Sequence, residues 1–227
     1  MTEQVSHAWS LGDAIDIFDR KERRAVVRLL GGDSAVLVQP RCASALASAL
    51  NLPEASFLGK RWYLDYHWNW LVGAVTLLAH PTSRVAAARK DLPWLVQNSQ
   101  EDVDGLIVAD DLLILIEAKW DSGWDSKQRD RKVNRCAALL TYIRRLDLAD
   151  RVRVCFVNVS RLDESNAELN EAARREAPKP DWPVVHVPFS AVLDDIPTRR
   201  LVVNNLVKSP DGEGVSDWEI AEARGWS

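Results

Sequence analysis

Val103-Asp104-Gly105-Leu106-Ile107-Val108-Ala109-Asp110-Asp111-Leu112-Leu113-Ile114-Leu115-Ile116-Glu117-Ala118-Lys119 is the stretch from which the rest of the chain is read. Two β-forming runs, 103–108 and 112–119, flank the short turn Ala109-Asp110-Asp111, which is hairpin spacing. The run Leu112-Leu113-Ile114-Leu115-Ile116 is apolar without alternation, so it predicts a central strand covered on both faces. Side chains alternate along a strand, which puts Glu117 and Lys119 on one face and Ala118 on the other. Asp104 on the partner strand can lie beside them. Two carboxylates and a lysine then converge at one end of a sheet.

The neighbouring segments fill in an α/β architecture. Ser10 caps a predicted helix over 11–30, with Ile15, Phe18, Val26, Leu29 and Leu30 at roughly helical spacing and Gly31-Gly32 ending it. A second helix is expected over 42–50, closed by Pro53. The segment 62–79 reads as one long, largely buried helix ended by Pro81. On it Trp62, Tyr66 and Trp70 would share a face and fill the core, a reading preferred over base stacking by this aromatic group. After the hairpin a helix over 125–145, a strand over 151–159, a helix over 163–176, a strand over 184–187 and a helical turn over 191–194 follow. Ser216-Asp217-Trp218-Glu219 has capping-box spacing and predicts a short terminal helix, with Trp218 and Trp226 pinning the tail. The expected organisation is a helical N-terminal extension at 1–60, an α/β core at 61–200 with a mixed central sheet flanked by helices, and a tail at 201–227.

Composition narrows the function classes. The 227 residues are 47% apolar and 27% charged, which suits one sizeable globular domain and not a fibrous or wholly disordered chain. Cys42, Cys136 and Cys155 form no Cys-x-x-Cys pair, so neither a disulfide framework nor a zinc or iron-sulfur cluster is expected, and a reducing cytoplasm fits best. His7, His67, His80 and His186 are too dispersed for a zinc motif. No signal-peptide pattern or membrane-length apolar run is present, and a soluble, unprocessed protein is expected. Walker A, Gly-x-Ser-x-Gly and dinucleotide fingerprints are lacking, which removes support for nucleotide-hydrolysing, esterase and dehydrogenase readings.

The formal net charge of −4 supplies no global attraction to nucleic acid, so any such binding needs a local basic patch. Gln128, Arg131, Lys132 and Arg135 recur at i, i+3, i+4 and i+7, opposite Val133, Cys136, Ala137 and Leu140. Such a stripe predicts phosphate contacts and binding that falls steeply with salt. The competing reading is an ordinary solvated helix face.

Hard divalent cations prefer oxygen ligands, so Asp104, Glu117 and the backbone carbonyl of Ala118 are the candidate set for Mg²⁺ or Mn²⁺. Lys119 would orient or deprotonate the attacking water and offset charge developing on phosphorus. Glu-x-Lys alone says little: 12 Glu and 8 Lys in 227 positions give roughly 0.4 chance copies. Its position carries the weight, because charges are uncommon at the end of a buried strand unless paired or functional.

With Asp104 in Val103-Asp104-Gly105-Leu106-Ile107 and then Leu115-Ile116-Glu117-Ala118-Lys119-Trp120, the chain resembles the restriction-endonuclease-like PD-(D/E)XK superfamily in motif and element order. The resemblance spans about 62–189 and implies a restriction-endonuclease-like αβββαβ core and Mg²⁺-dependent cleavage of nucleic acid, DNA being the expected polymer. Val103 stands where a proline often precedes the aspartate, a position dispensable to the chemistry. For the acidic residue that the family often carries on the preceding helix, Asp65 is the first candidate, with Glu101 and Asp102 as alternatives. Gln128 matches the polar residue of the following helix. The rival reading is a non-cleaving nuclease-fold module that binds a protein partner or a second copy through the aromatic segment starting near Trp62.

Overall fold

The apolar run at the centre of the chain is a strand with neighbours on both edges. In the computed structural model, which describes residues 9–19, 22–81, 102–119, 126–160, 184–192, 201–208 and 215–222, strand β3 (Leu112–Lys119) pairs antiparallel with β2 (Asp102–Ala109) and parallel with β4 (Arg153–Ser160). β1 (Trp62–His67) lies antiparallel on the far side of β2, and β5 (Val184–Pro188) lies parallel on the far side of β4. The order is β1-β2-β3-β4-β5. The mixture follows from the connections: a two-residue turn can join only antiparallel strands, whereas a helical crossover permits parallel ones.

Ala109 pairs with Leu112, so the turn is Asp110-Asp111, one residue shorter than expected, with Asp110 at φ 56°. Asp and Asn accept this left-handed conformation more readily than other non-glycine residues. Lys60 Nζ pairs with Asp110 at 2.6 Å, and Arg153 grips both Asp111 oxygens at 2.7 and 2.8 Å.

Helices cover both faces of the sheet. On the first, α4 (Trp68–Ala79) and α5 (Ser126–Arg145) pack with α1 (Leu11–Phe18) over Leu113, Leu115, Val154 and Phe156. On the second, α3 (Pro40–Leu50) and Phe57 cover Ile107, Ile114, Cys155 and Val157. Helix α1 thus belongs to the first core and α3 to the second. α3 starts with Pro40 in its first turn and ends at Asn51 in the left-handed conformation, φ 53°. A short helix, α6 (Phe189–Val192), follows β5, and Arg41 Nε donates to the Ala191 carbonyl at 3.1 Å.

Several local expectations are corrected. The segment 62–79 is not one helix: Trp62–His67 is strand β1, and only Trp68–Ala79 is helical. Aromatic side chains suit a pleated, half-buried surface, and Asp65 at φ 47° interrupts the alternation, so that Tyr63 and Tyr66 both enter the first core. The spacing of Trp62, Tyr66 and Trp70 therefore imitates a helical face. Tyr63, Tyr66 and Trp68 are buried, whereas Trp62 and Trp70 are half-buried and pack against different cores, so of the three residues expected to fill the core from one face only Tyr66 is enclosed. Relative to an αβββαβ order, α4 stands between the first two strands.

The helix expected over 11–30 is two helices, α1 and α2 (Glu22–Gly31). Asp19 leaves helical geometry and its carboxylate pairs with Arg24. Beyond the break the apolar face turns outward: Leu29 and Leu30 are each 82% exposed.

The chain divides into two units, Met1–Val192 and Leu193–Ser227. In the second, β6 (Leu201–Lys208) and β7 (Val215–Glu222) form an antiparallel pair, so the expected terminal helix is a strand. Capping chemistry at Ser216 is outweighed by a ladder that places Asn205 opposite Trp218 and Val203 opposite Ile220. The helix expected over 163–176 and residue Trp226 lie outside the described residues. No described helix is long and apolar enough to cross a membrane.

Candidate active site

The hairpin register sets the two candidate positions on neighbouring strands. The β2–β3 pairing runs to Gly105 opposite Ile116, and one further step in the same register sets Asp104 opposite Glu117. Asp104 Oδ2 accepts a hydrogen bond from the Ala118 amide at 2.8 Å. In β4 Glu117 is in register with Asn158, and in β5 Asn158 is in register with His186. Facing positions on neighbouring strands share a face. Glu117, Asn158 and His186 therefore form a polar row across three strands, on the face covered by α5, while alternation in β2 is interrupted beside Asp104, where Val103 joins Leu106 and Val108 in the first core. The row follows the apolar positions Leu113, Leu115, Val154 and Phe156 toward the C-terminal ends of the parallel strands β3 and β4, where open α/β sheets commonly bind ligands.

Glu117 is 1% exposed, and its carboxylate is compensated by α5. Lys132 Nζ donates to Glu117 Oε1 and to the Asp102 carbonyl, each at 2.5 Å. A buried carboxylate without such a partner is strongly destabilising. Cys136, one turn further along α5, has its thiol pKa pushed up by burial first and then by the negative charge of Glu117. Burial likewise pushes the Cys155 thiol up to about 12. Both thiols stay protonated and packed.

The basic stripe expected on α5 is not a single solvent-facing surface. Arg131 is exposed, Lys132 turns to the sheet, and Arg135 is 3% exposed. The reason is the helix phase. α5 packs through Val133, Cys136, Leu139, Tyr142 and Ile143, and Lys132 and Arg135 stand four residues before Cys136 and Leu139, on the inward side. Gln128 lies in the first turn of α5. Its side chain and that of Lys119 lie outside the described residues; the backbone of Lys119 pairs with Ser160 at the end of β3.

The three candidates for an additional acidic residue differ in placement. Asp65 is on strand β1, not on a helix, and its Oδ2 is bound by Arg23. The Asp102 carboxylate lies against His67 Nδ1, and the His67 and Trp70 rings meet edge to face at 4.4 Å between centroids. Glu101 lies outside the described residues.

Asn158 and His186 were not legible as site residues from spacing alone. The available signal for Asn158 is a polar residue at the inward parity of Val154-Cys155-Phe156-Val157-Asn158, where it is fully buried.

Among the described residues, no cluster of three or more His, Cys, Asp or Glu side chains is arranged to hold a metal. Mg²⁺ commonly takes one or two carboxylates and several waters. Asp104 and Glu117, as hard oxygen donors on adjacent strands, fit that requirement with the Ala118 carbonyl as a third donor. Compared with protein-family models, with curated proteins and with solved structures, the chain matches none.

Proposed function

We propose that the chain is a Mg²⁺- or Mn²⁺-dependent nuclease that hydrolyses phosphodiester bonds, with DNA as the expected polymer. The observation that carries this reading is that Asp104 and Glu117 lie on adjacent strands one register step beyond the Gly105–Ile116 pair, with Lys119 two residues beyond Glu117 on the same strand. The resemblance to the restriction-endonuclease-like PD-(D/E)XK superfamily points the same way.

Asp104, Glu117 and the Ala118 carbonyl would hold the ion, whose chemical contribution is to polarise a phosphoryl oxygen. Lys119 orients the attacking water or takes its proton. The water oxygen then bonds to phosphorus as one P–O ester bond breaks, and the ammonium offsets the charge that develops on the phosphoryl oxygens. Gln128 and Arg131, three residues apart on α5, would contact neighbouring phosphates.

The test is cleavage of single- and double-stranded DNA and RNA in Mg²⁺, Mn²⁺ or EDTA by wild type, Glu117→Ala and Lys119→Ala. Metal-dependent cleavage lost in both variants supports the nuclease and identifies its polymer. Folded wild type that cleaves none of these substrates sinks it. The second reading, a non-cleaving binding or assembly module, draws on α2, where Val26, Leu29 and Leu30 expose apolar surface.

A further inference from the structure

Lys132 differs from the other cations of α5 in where its ammonium sits. With 13% of the side chain exposed, it leaves the helix and donates to Glu117 Oε1 and the Asp102 carbonyl. Both acceptors are neighbours of Asp104: Glu117 stands across the β2–β3 register and Asp102 two residues earlier on β2. A monovalent cation thus lies on the Glu117 carboxylate.

We propose that Lys132 is a built-in counter-cation for the metal site, neutralising Glu117 while no divalent ion is bound and being displaced when one enters. The inference rests on the reading of Asp104 and Glu117 as metal ligands. Glu117 is buried and needs a positive partner to remain ionised. An ammonium and a divalent ion on the same carboxylate would stand a few ångströms apart and repel in a medium that screens poorly. The two cations therefore compete for Glu117, and separating Lys132 from its two acceptors is subtracted from the metal's affinity. In return the carboxylate is held in place before the metal arrives.

The test uses the full chain. Mn²⁺ binding is titrated calorimetrically for wild type, Lys132→Met and Glu117→Gln, with circular dichroism to verify folding. Lys132→Met is expected to bind Mn²⁺ tighter by about ten-fold or more, the scale of coupling found for close charge pairs. Its melting point should fall in EDTA and rise on adding Mn²⁺ by more than that of wild type. In parallel, wild type is treated with acetic anhydride with and without Mn²⁺, and acetylation of Lys132 is read by mass spectrometry. Release of the ammonium should raise its labelling, and this arm does not depend on the variant folding. Equal or weaker Mn²⁺ binding by Lys132→Met, or Lys132 labelling unchanged when wild type binds Mn²⁺, overturns the counter-cation role and leaves the metal-site reading standing. Mn²⁺ binding that is absent from wild type and Lys132→Met alike, or undiminished in Glu117→Gln, overturns both.

Discussion

The Ala118 amide donates to Asp104 Oδ2 at 2.8 Å, one register step beyond the last β2–β3 pair, Gly105 with Ile116. The carboxylate proposed as a metal ligand therefore also ties the end of β2 to the strand carrying Glu117. The two roles separate by substitution. Asp104→Asn keeps an acceptor for the amide and should melt close to wild type, whereas Asp104→Ala should lose about 0.5–1.5 kcal/mol. Cleavage should drop on the order of 100-fold or more in both. Thermal melts beside cleavage assays check this, and an Asn variant that cleaves normally would remove Asp104 from the metal site.

The Glu117–Lys132 pair is buried on one side and nearly so on the other, with side-chain exposures of 1% and 13%. Lys132→Met should cost about 3–5 kcal/mol, because it removes the cation from a buried carboxylate. Glu117→Gln combined with Lys132→Met should recover most of that loss. Urea unfolding of the single and double variants closes the cycle; strictly additive losses would show that the two side chains act independently.

Gly73 on α4 faces Phe18 at the end of α1. A Cβ at this position would come within 2.6 Å of the Phe18 ring. Gly→Ala inside a helix ordinarily stabilises, yet Gly73→Ala is expected to destabilise by about 1–3 kcal/mol through overpacking. Adding Phe18→Leu should relieve much of it. Denaturant midpoints of the single and double variants test the contact, and a stabilised Gly73→Ala would mean that Phe18 moves away freely.

Alkaline pH probes the joint between α1 and β1. Tyr63 donates to Asp16 Oδ1 at 2.7 Å and Tyr66 to the Ile15 carbonyl at 2.9 Å. Burial, first, raises both phenol pKa values; the Asp16 hydrogen bond adds to it at Tyr63 and the negative charge of Asp19 at Tyr66. The folded state therefore retains phenolic protons that the unfolded chain releases above its ordinary range of about 10. Their contribution to stability is complete below that range and is lost as pH rises from it through the folded pKa. Tyr66→Phe should flatten the fall in stability between about pH 10 and 12. Denaturant titrations across that interval check it; an unchanged slope would mean that Tyr66 titrates alike in both states.

Much of the architecture is legible locally because its causes lie within a few residues. The apolar run from Leu112 to Ile116 and the Asp110-Asp111 turn specify a buried strand and its antiparallel partner. Alternation then aligns Glu117 with Leu113 and Leu115 on the α5 face. The helical period of α5 is legible too, but its phase is not. Val133, Cys136 and Leu139 pack inward and take Lys132 and Arg135 with them.

What the sequence by itself determined was the α/β class and the hairpin whose strands carry Asp104 and Glu117, consequences of short-range periodicity and turn chemistry. Tertiary structure decided that Trp62–His67 is a strand, because its ladder partners in β2 lie some forty residues away. It decided that Val215–Glu222 pairs with β6 although its opening residues have capping-box spacing. It also decided that Lys132 serves Glu117, whereas helix spacing alone placed it on an outward basic face. In each case the deciding term is an interaction with a sequence-distant neighbour, a sheet edge or a buried charge, that no local propensity contains.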